Sequence, residues 1–155
     1  MVFRKRTVIE RLKKLEAVLR KLEEREQLTR AEYRRDTDIQ WIIERGLELG
    51  SSIILDIGNH ILAGAFRISV DEYEQILENL REQHVITQDL YAGLRGLGGF
   101  RNILVHGYLA INPELVYEHY RKALRTFPAF IAEIDGWLSQ WDSDRQEDRA
   151  GDAGR

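Results

Sequence analysis

Apolar side chains recur every third or fourth position along almost the whole chain, and only Pro113 and Pro128 interrupt the backbone donors on which a helix depends. Such spacing lines one face of a helix with 3.6 residues per turn. No segment shows the strict alternation that a half-buried strand requires. The sequence therefore predicts an all-α fold, a bundle of about five helices forming one domain over residues 1–141. A chain of 155 residues, 43% hydrophobic and 32% charged, is long enough to bury a single core.

Cap signals divide the bundle. Thr7 with Glu10 reads as a capping box for a first helix, whose stripe is Leu12, Leu15, Leu19 and Leu22. Thr29 with Glu32 predicts a second box and a short helical turn. Asp36, or Thr37 paired with Gln40, then caps a long helix to about Gly64, with Ile43, Leu47, Gly50, Ile54, Ile57 and Ile61 on its inner face. Ser69 with Glu72 predicts the helix carrying Tyr73, Ile76, Leu77 and Leu80. Another, capped by Thr87, is predicted to run from Leu90 through Arg101 to Tyr108. Gly93, Gly96, Gly98 and Gly99 fall in its middle, where each weakens helix propensity by roughly 1 kcal/mol relative to Ala. A bare backbone there serves either a helix–helix crossing, expected in a dimer, or a kink. Asn112-Pro113-Glu114 is an N-cap followed by proline at the first helical position, and it opens a last helix that Pro128 is expected to kink.

Several function classes fall away on composition. With no cysteine the chain has no disulfide, thiolate nucleophile, iron–sulfur cluster or Cys-ligated zinc. No apolar run approaches the roughly 20 residues of a membrane span. The basic start is followed at once by Glu10, Arg11, Lys13 and Lys14, not by the apolar stretch of a secretory signal. A cytoplasmic protein with no membrane partner is expected. No H-E-x-x-H, P-loop, dinucleotide-binding glycine pattern or zinc spacing is present, so neither a metal nor a cofactor is expected. The net charge of −3 provides no overall field to attract nucleic acid. Charge is nevertheless uneven: Arg4, Lys5, Arg6, Arg11, Lys13 and Lys14 crowd the start against the single acid Glu10. That segment reads first as a solvated helix face and second as a surface for RNA phosphate or a partner. Residues 142–155 read as an acidic, loosely ordered tail.

The most informative stretch is Phe100-Arg101-Asn102-Ile103-Leu104-Val105-His106-Gly107-Tyr108, where polar groups interrupt an apolar helix end. Arg101 lies on the Leu97–Val105–Tyr108 stripe, an awkward place for a guanidinium that holds neither an anion nor a buried acid such as Asp56. Asn102 and His106 are four apart and share a face, so the amide can bond an imidazole nitrogen. His106 also suits a plain helix-end role, favoured by the helix dipole. Arg101 and His106 are five apart, about 140° round an ideal helix. Convergence of the two on one phosphate needs a wrapped arginine, a helix that ends at Gly107, or a twofold axis that brings up a second copy. Asp56 and His60, four apart on the long helix, are candidates for an ion pair, a metal half-site or a contact to the motif.

The string Arg101-x4-His106-Gly107-Tyr108 resembles the R-x4-H-x-Y motif of the HepT toxins, a branch of the HEPN superfamily of small all-helical proteins. The resemblance runs from about Ala31 to Trp137. It takes in Tyr33-Arg34-Arg35-Asp36, Leu55-Asp56-Ile57-Gly58-Asn59-His60, Tyr73 to Leu80, and the motif itself. One departure stands out: Glu82-Gln83-His84-Val85 lacks the glycine expected between the corresponding helices of that family.

The resemblance implies a metal-independent endoribonuclease, the toxin of a toxin–antitoxin pair, with its active site formed where the motif helices of a homodimer meet. RNA carries its own nucleophile, the 2′-hydroxyl, so the protein need supply only proton transfer and charge stabilisation. His106 then serves as general acid or base. Arg101 grips the non-bridging phosphate oxygens, and Asn102 orients His106 or bonds the phosphate. Asp36, otherwise a helix cap, is a minor candidate for an acidic member of the site, and Asp56 for a supporting one. The family's antitoxin, a minimal nucleotidyltransferase of the MntA type, silences such toxins by transferring AMP to the tyrosine that matches Tyr108. Added phosphate there brings negative charge and bulk to the place where substrate should sit. The alternative is a non-catalytic helical adaptor that binds a nucleotidyltransferase or a nucleotide.

Overall fold

Several helices of this chain begin where short polar side chains meet free backbone donors. Thr29 accepts from the N–H of Glu32, whose carboxylate accepts in return from Thr29 N–H at 2.9 Å; this reciprocal box opens helix α2, Arg30–Arg35. The Asp36 carboxylate accepts from Ile39 N–H at 3.1 Å and opens α3, Thr37–Ala65. Asn112 accepts from Glu114 N–H at 3.0 Å and opens the longest helix, α7, Pro113–Ala153. The computed structural model describes residues 2–154. Over these the remaining elements are α1 (Lys5–Glu23), α4 (Tyr73–Glu82), α5 (Gln88–Leu94), α6 (Leu97–His106) and a single 3-10 turn, Tyr108–Ala110, with no strand among the described residues.

The stripes predicted for the first and the long helix lie in the core, joined there by residues of the last helix. Leu12, Leu15, Leu19 and Leu22 of α1 pack with Ile43, Leu47, Ile54, Ile57 and Ile61 of α3 and with Val116, Tyr120, Phe127, Phe130 and Ile134 of α7. Helix α3 is central, touching α1, α2, α4, α6 and α7. Gly50 is required at its crossing with α7, since a Cβ there would overlap the Phe127 ring. Tyr120 donates from its hydroxyl to the Leu22 carbonyl at 2.7 Å, and Tyr117 to Leu28 at 2.7 Å, which ties α7 to the end of α1 and the turn after it. Arg30 and Arg34 both pair with Glu114 and fasten α2 to the start of α7.

Several expectations about where elements start and stop are corrected. The Thr7–Glu10 box does not form: α1 starts at Lys5, behind Arg4, with no side-chain cap. Phe3 instead packs against Trp137 and Trp141, and Lys5 pairs with Asp142, so contacts with α7 set the start of α1. Ser69 caps nothing; α4 begins at Tyr73 behind Glu72. The helix predicted from Thr87 to Tyr108 is two helices, which is why the bundle exceeds five. Gly96, at φ +83°, takes the left-handed conformation that L side chains avoid, and the chain turns there between α5 and α6. Finally, the turn after α4 needs no glycine. His84 occupies the left-handed position at φ +59°, with its N–H bonded to Arg81 O and the Val85 N–H to Leu80 O. That is a Schellman closure with histidine in the usual glycine place.

Helix α7 stays one element across Pro128 and on to Ala153, so the segment read as a loose tail continues a helix, solvent-exposed from Ser143 onward. No described helix is long and apolar enough to cross a membrane.

Candidate active site

Helix α6 carries the motif, and three neighbours position it. The Glu74 carboxylate, from the first turn of α4, accepts from Gly96 N–H at 2.8 Å and places a negative charge at the positive end of α6. Gly98 is buried against Tyr73, where a Cβ would collide with the tyrosine's own Cβ. Behind the helix, Phe100 stacks face to face on His119 of α7, with ring centres 3.8 Å apart and planes 6° from parallel. This half-buried histidine has its pKa held below the usual value by burial, reinforced by the Lys122 charge and partly offset by Glu118.

Arg101 is partly buried, and its Nε–H donates to Ser52 Oγ of α3 at 3.1 Å. Its guanidinium lies 5.6 Å from the centre of the Tyr73 ring, and Nη1 lies 3.4 Å from Asn102 Oδ1. Asp56 is solvent-exposed and forms no ion pair with Arg101. The arginine on the apolar stripe is therefore held by a neutral hydroxyl and an aromatic face. Asn102 faces Arg101; no hydrogen bond joins it to His106 among the described residues.

His106 is the last residue of α6 and is exposed; Gly107 ends the helix with its N–H on Ile103 O at 2.8 Å. The helix does end at Gly107, but Arg101 and His106 both lie inside it and keep the offset of about 140° of an ideal helix. Tyr108 follows in the 3-10 turn with 70% of its surface exposed, next to Leu109 at 92% and near Ile103 at 40%. The rim of the site is thus open and apolar, with the imidazole and the phenol both reachable from solvent.

The other candidates lie elsewhere. Asp36 is engaged as the N-cap of α3. His60 accepts from Arg4 N–H at 3.2 Å and packs on Phe3, so the Asp56–His60 pair does not form. No group of three or more possible metal ligands occurs among the described residues. Sequence reasoning missed Ser52, Tyr73 and Glu74 as parts of the site. The one local trace of the first is a pair of serines, Ser51-Ser52, set in an otherwise apolar stretch of α3.

Residues 9–134 match the ribonuclease HepT-like family. The chain belongs to that family. This HepT-like protein is 30% identical over 129 residues to a tRNA nuclease HepT of Aphanizomenon flos-aquae, covering 83% of this chain and 87% of the relative. It is 29% identical over 108 residues to an mRNA nuclease HepT of Shewanella oneidensis, covering 67% and 78%. Its fold superposes with a TM-score of 0.73 on a tri-AMPylated HEPN toxin of Shewanella oneidensis solved in complex with an MNT antitoxin, at 22% identity and over 83% and 96% of the two chains. The HepT-like fold expected from the motif is thus the fold found.

Proposed function

We propose that this HepT-like protein is a metal-independent endoribonuclease, the toxin of a toxin–antitoxin pair, that cleaves RNA by attack of a 2′-hydroxyl on the adjacent phosphate. The observation that carries the reading is the state of Arg101. Its guanidinium is held by Ser52 and Tyr73, with no acidic partner among the described residues, on the same helix that delivers His106 to the surface. An unneutralised, immobilised arginine beside a solvent-accessible imidazole suits a phosphate whose negative charge rises in the transition state.

In this reaction the 2′-oxygen bonds to phosphorus and the bond to the 5′-oxygen breaks, leaving a 2′,3′-cyclic phosphate and a 5′-hydroxyl. His106 takes the proton from the 2′-oxygen or gives one to the departing 5′-oxygen. In a homodimer with two motif helices side by side, the two copies of His106 divide these roles. Arg101 holds the non-bridging oxygens, and Asn102 sits within reach of the same phosphate. The exposed apolar rim of Ile103, Tyr108 and Leu109 supports a second copy at this edge. The partner that controls the toxin is a nucleotidyltransferase antitoxin, which adds AMP to the exposed Tyr108 hydroxyl. The names of the nuclease relatives and of the HEPN toxin–antitoxin complex support these assignments. RNA and a nucleotide donor share the cytoplasm, where the reading places the protein.

Incubation of unmodified protein with total cellular RNA in excess chelator tests the reading. Cleavage that leaves 2′,3′-cyclic phosphates and falls on the order of 10²–10⁴-fold in His106→Ala is expected. Absence of cleavage by an unmodified dimer would transfer the motif to a binding role.

A further inference from the structure

Given that Arg101 meets the RNA phosphate, the groups that hold its guanidinium decide which edge it offers. A guanidinium has five N–H donors in a flat fork. It can grip two oxygens side-on, through Nε and one terminal nitrogen, or end-on, through both terminal nitrogens. Here Nε–H is already engaged by Ser52 Oγ at 3.1 Å, Nη1 keeps one of its two hydrogens beside a longer 3.4 Å contact to Asn102 Oδ1, and the cation lies 5.6 Å from the centre of the Tyr73 ring.

We propose that Ser52 and Tyr73 are positioning residues for Arg101, which together impose an end-on grip through Nη1 and Nη2. The inference rests on the ribonuclease reading above. Three observations build it. Ser52 is a neutral acceptor, so it orients the guanidinium without cancelling the charge the phosphate needs; an acid in its place would compete with the substrate. Tyr73 is held in place by its close approach to Gly98, on the same helix as Arg101, so ring and guanidinium share one rigid frame. The neighbouring Ser51 is fully buried with no hydrogen-bond partner among the described residues, whereas Ser52 is partly exposed and bonded. The adjacent hydroxyls thus have different tasks, and only one points into the site. An arginine ordered before the substrate arrives loses little conformational entropy at the moment of reaction.

Cleavage of a defined oligoribonucleotide in chelator, with kcat and KM measured separately, tests the assignment. Affinity for the uncleavable all-deoxy analogue is measured alongside. Ser52→Ala is expected to lower kcat about 10-fold, the worth of a hydrogen bond to a charged group, with KM and analogue affinity within about 2-fold. Ser52→Thr keeps the hydroxyl and should recover most of that loss. Tyr73→Leu should lower kcat about 3-fold, in line with a partly exposed cation–π contact. Ser51→Ala should leave kcat unchanged. In an Arg101→Ala background, Ser52→Ala should add no further loss, because its effect passes through the arginine. Unaltered kcat in Ser52→Ala, or equal slowing in Ser52→Thr and Ser52→Ala, would overturn the assignment while wild-type cleavage leaves the ribonuclease reading standing. Failure of wild-type protein to cleave any RNA would overturn both.

Discussion

Glu74 Oε1 accepts a 2.8 Å hydrogen bond from the backbone N–H of Gly96, the residue at which the chain leaves α5 and enters α6. The left-handed turn at Gly96 supplies no capping side chain of its own, so a carboxylate from α4 does the capping across space. Glu74→Ala should lower global stability by about 1 kcal/mol, the usual worth of a cap. Hydrogen exchange should show the loss concentrated in the first turn of α6, with Glu74→Gln, which keeps an acceptor, closer to wild type.

Gly98 and Gly99 are adjacent in α6 and should respond in opposite senses to alanine. At Gly98 the new methyl meets Tyr73, whereas at Gly99 nothing lies within 4 Å. Overpacking should cost Gly98→Ala about 1–2 kcal/mol and displace the ring beneath Arg101, slowing RNA cleavage as well. Gly99→Ala should stabilise the protein by about 0.5 kcal/mol, because glycine is the poorer helix former. Urea denaturation of the two variants side by side measures both.

Tyr108→Phe removes the hydroxyl to which AMP would be attached but keeps the exposed ring. The variant should cleave RNA at close to the wild-type rate. Co-expression with the cognate nucleotidyltransferase should then rescue growth for wild type and fail for Tyr108→Phe, and intact-mass spectra should show nucleotide additions only on the former.

His119 makes part of the stability depend on pH. Burial holds its pKa below the ordinary histidine value, so the unfolded chain binds the proton more readily. The contribution is therefore complete above about pH 6.5 and is lost as the pH falls toward the folded-state value. His60 shifts in the same direction, again chiefly through burial. A comparison of wild type with His119→Phe, which keeps a ring against Phe100, isolates the first group. The melting temperature of the variant should fall less between pH 7.5 and 5.5 than that of wild type.

What could be read from the sequence was what nearby residues decide among themselves. The Thr29–Glu32 box, the Asp36 cap and the Asn112-Pro113 start each involve groups two or three positions apart, and all three form as expected. The motif was legible for the same reason, since Arg101, His106 and Tyr108 fall within eight residues. The start of α1 was not, because Phe3 and Lys5 answer to Trp137, Trp141 and Asp142 at the far end of the chain. Four glycines announced a bare backbone between α5 and α6, but the choice of Gly96 as the turn depends on Glu74 and Tyr73 from another helix. Ser52 is 49 positions from Arg101, and no pattern along the chain links them.

Tyr108 stands on a short 3-10 turn with most of its surface in water and no hydrogen bond from its hydroxyl among the described residues. Within one protomer a group attached to that oxygen would disturb no packing and break no contact, so the modified and unmodified protomers would be nearly equal in folding free energy. The adduct would persist as a mark that the fold neither resists nor reports, one that only mass, charge or the state of the RNA reveals.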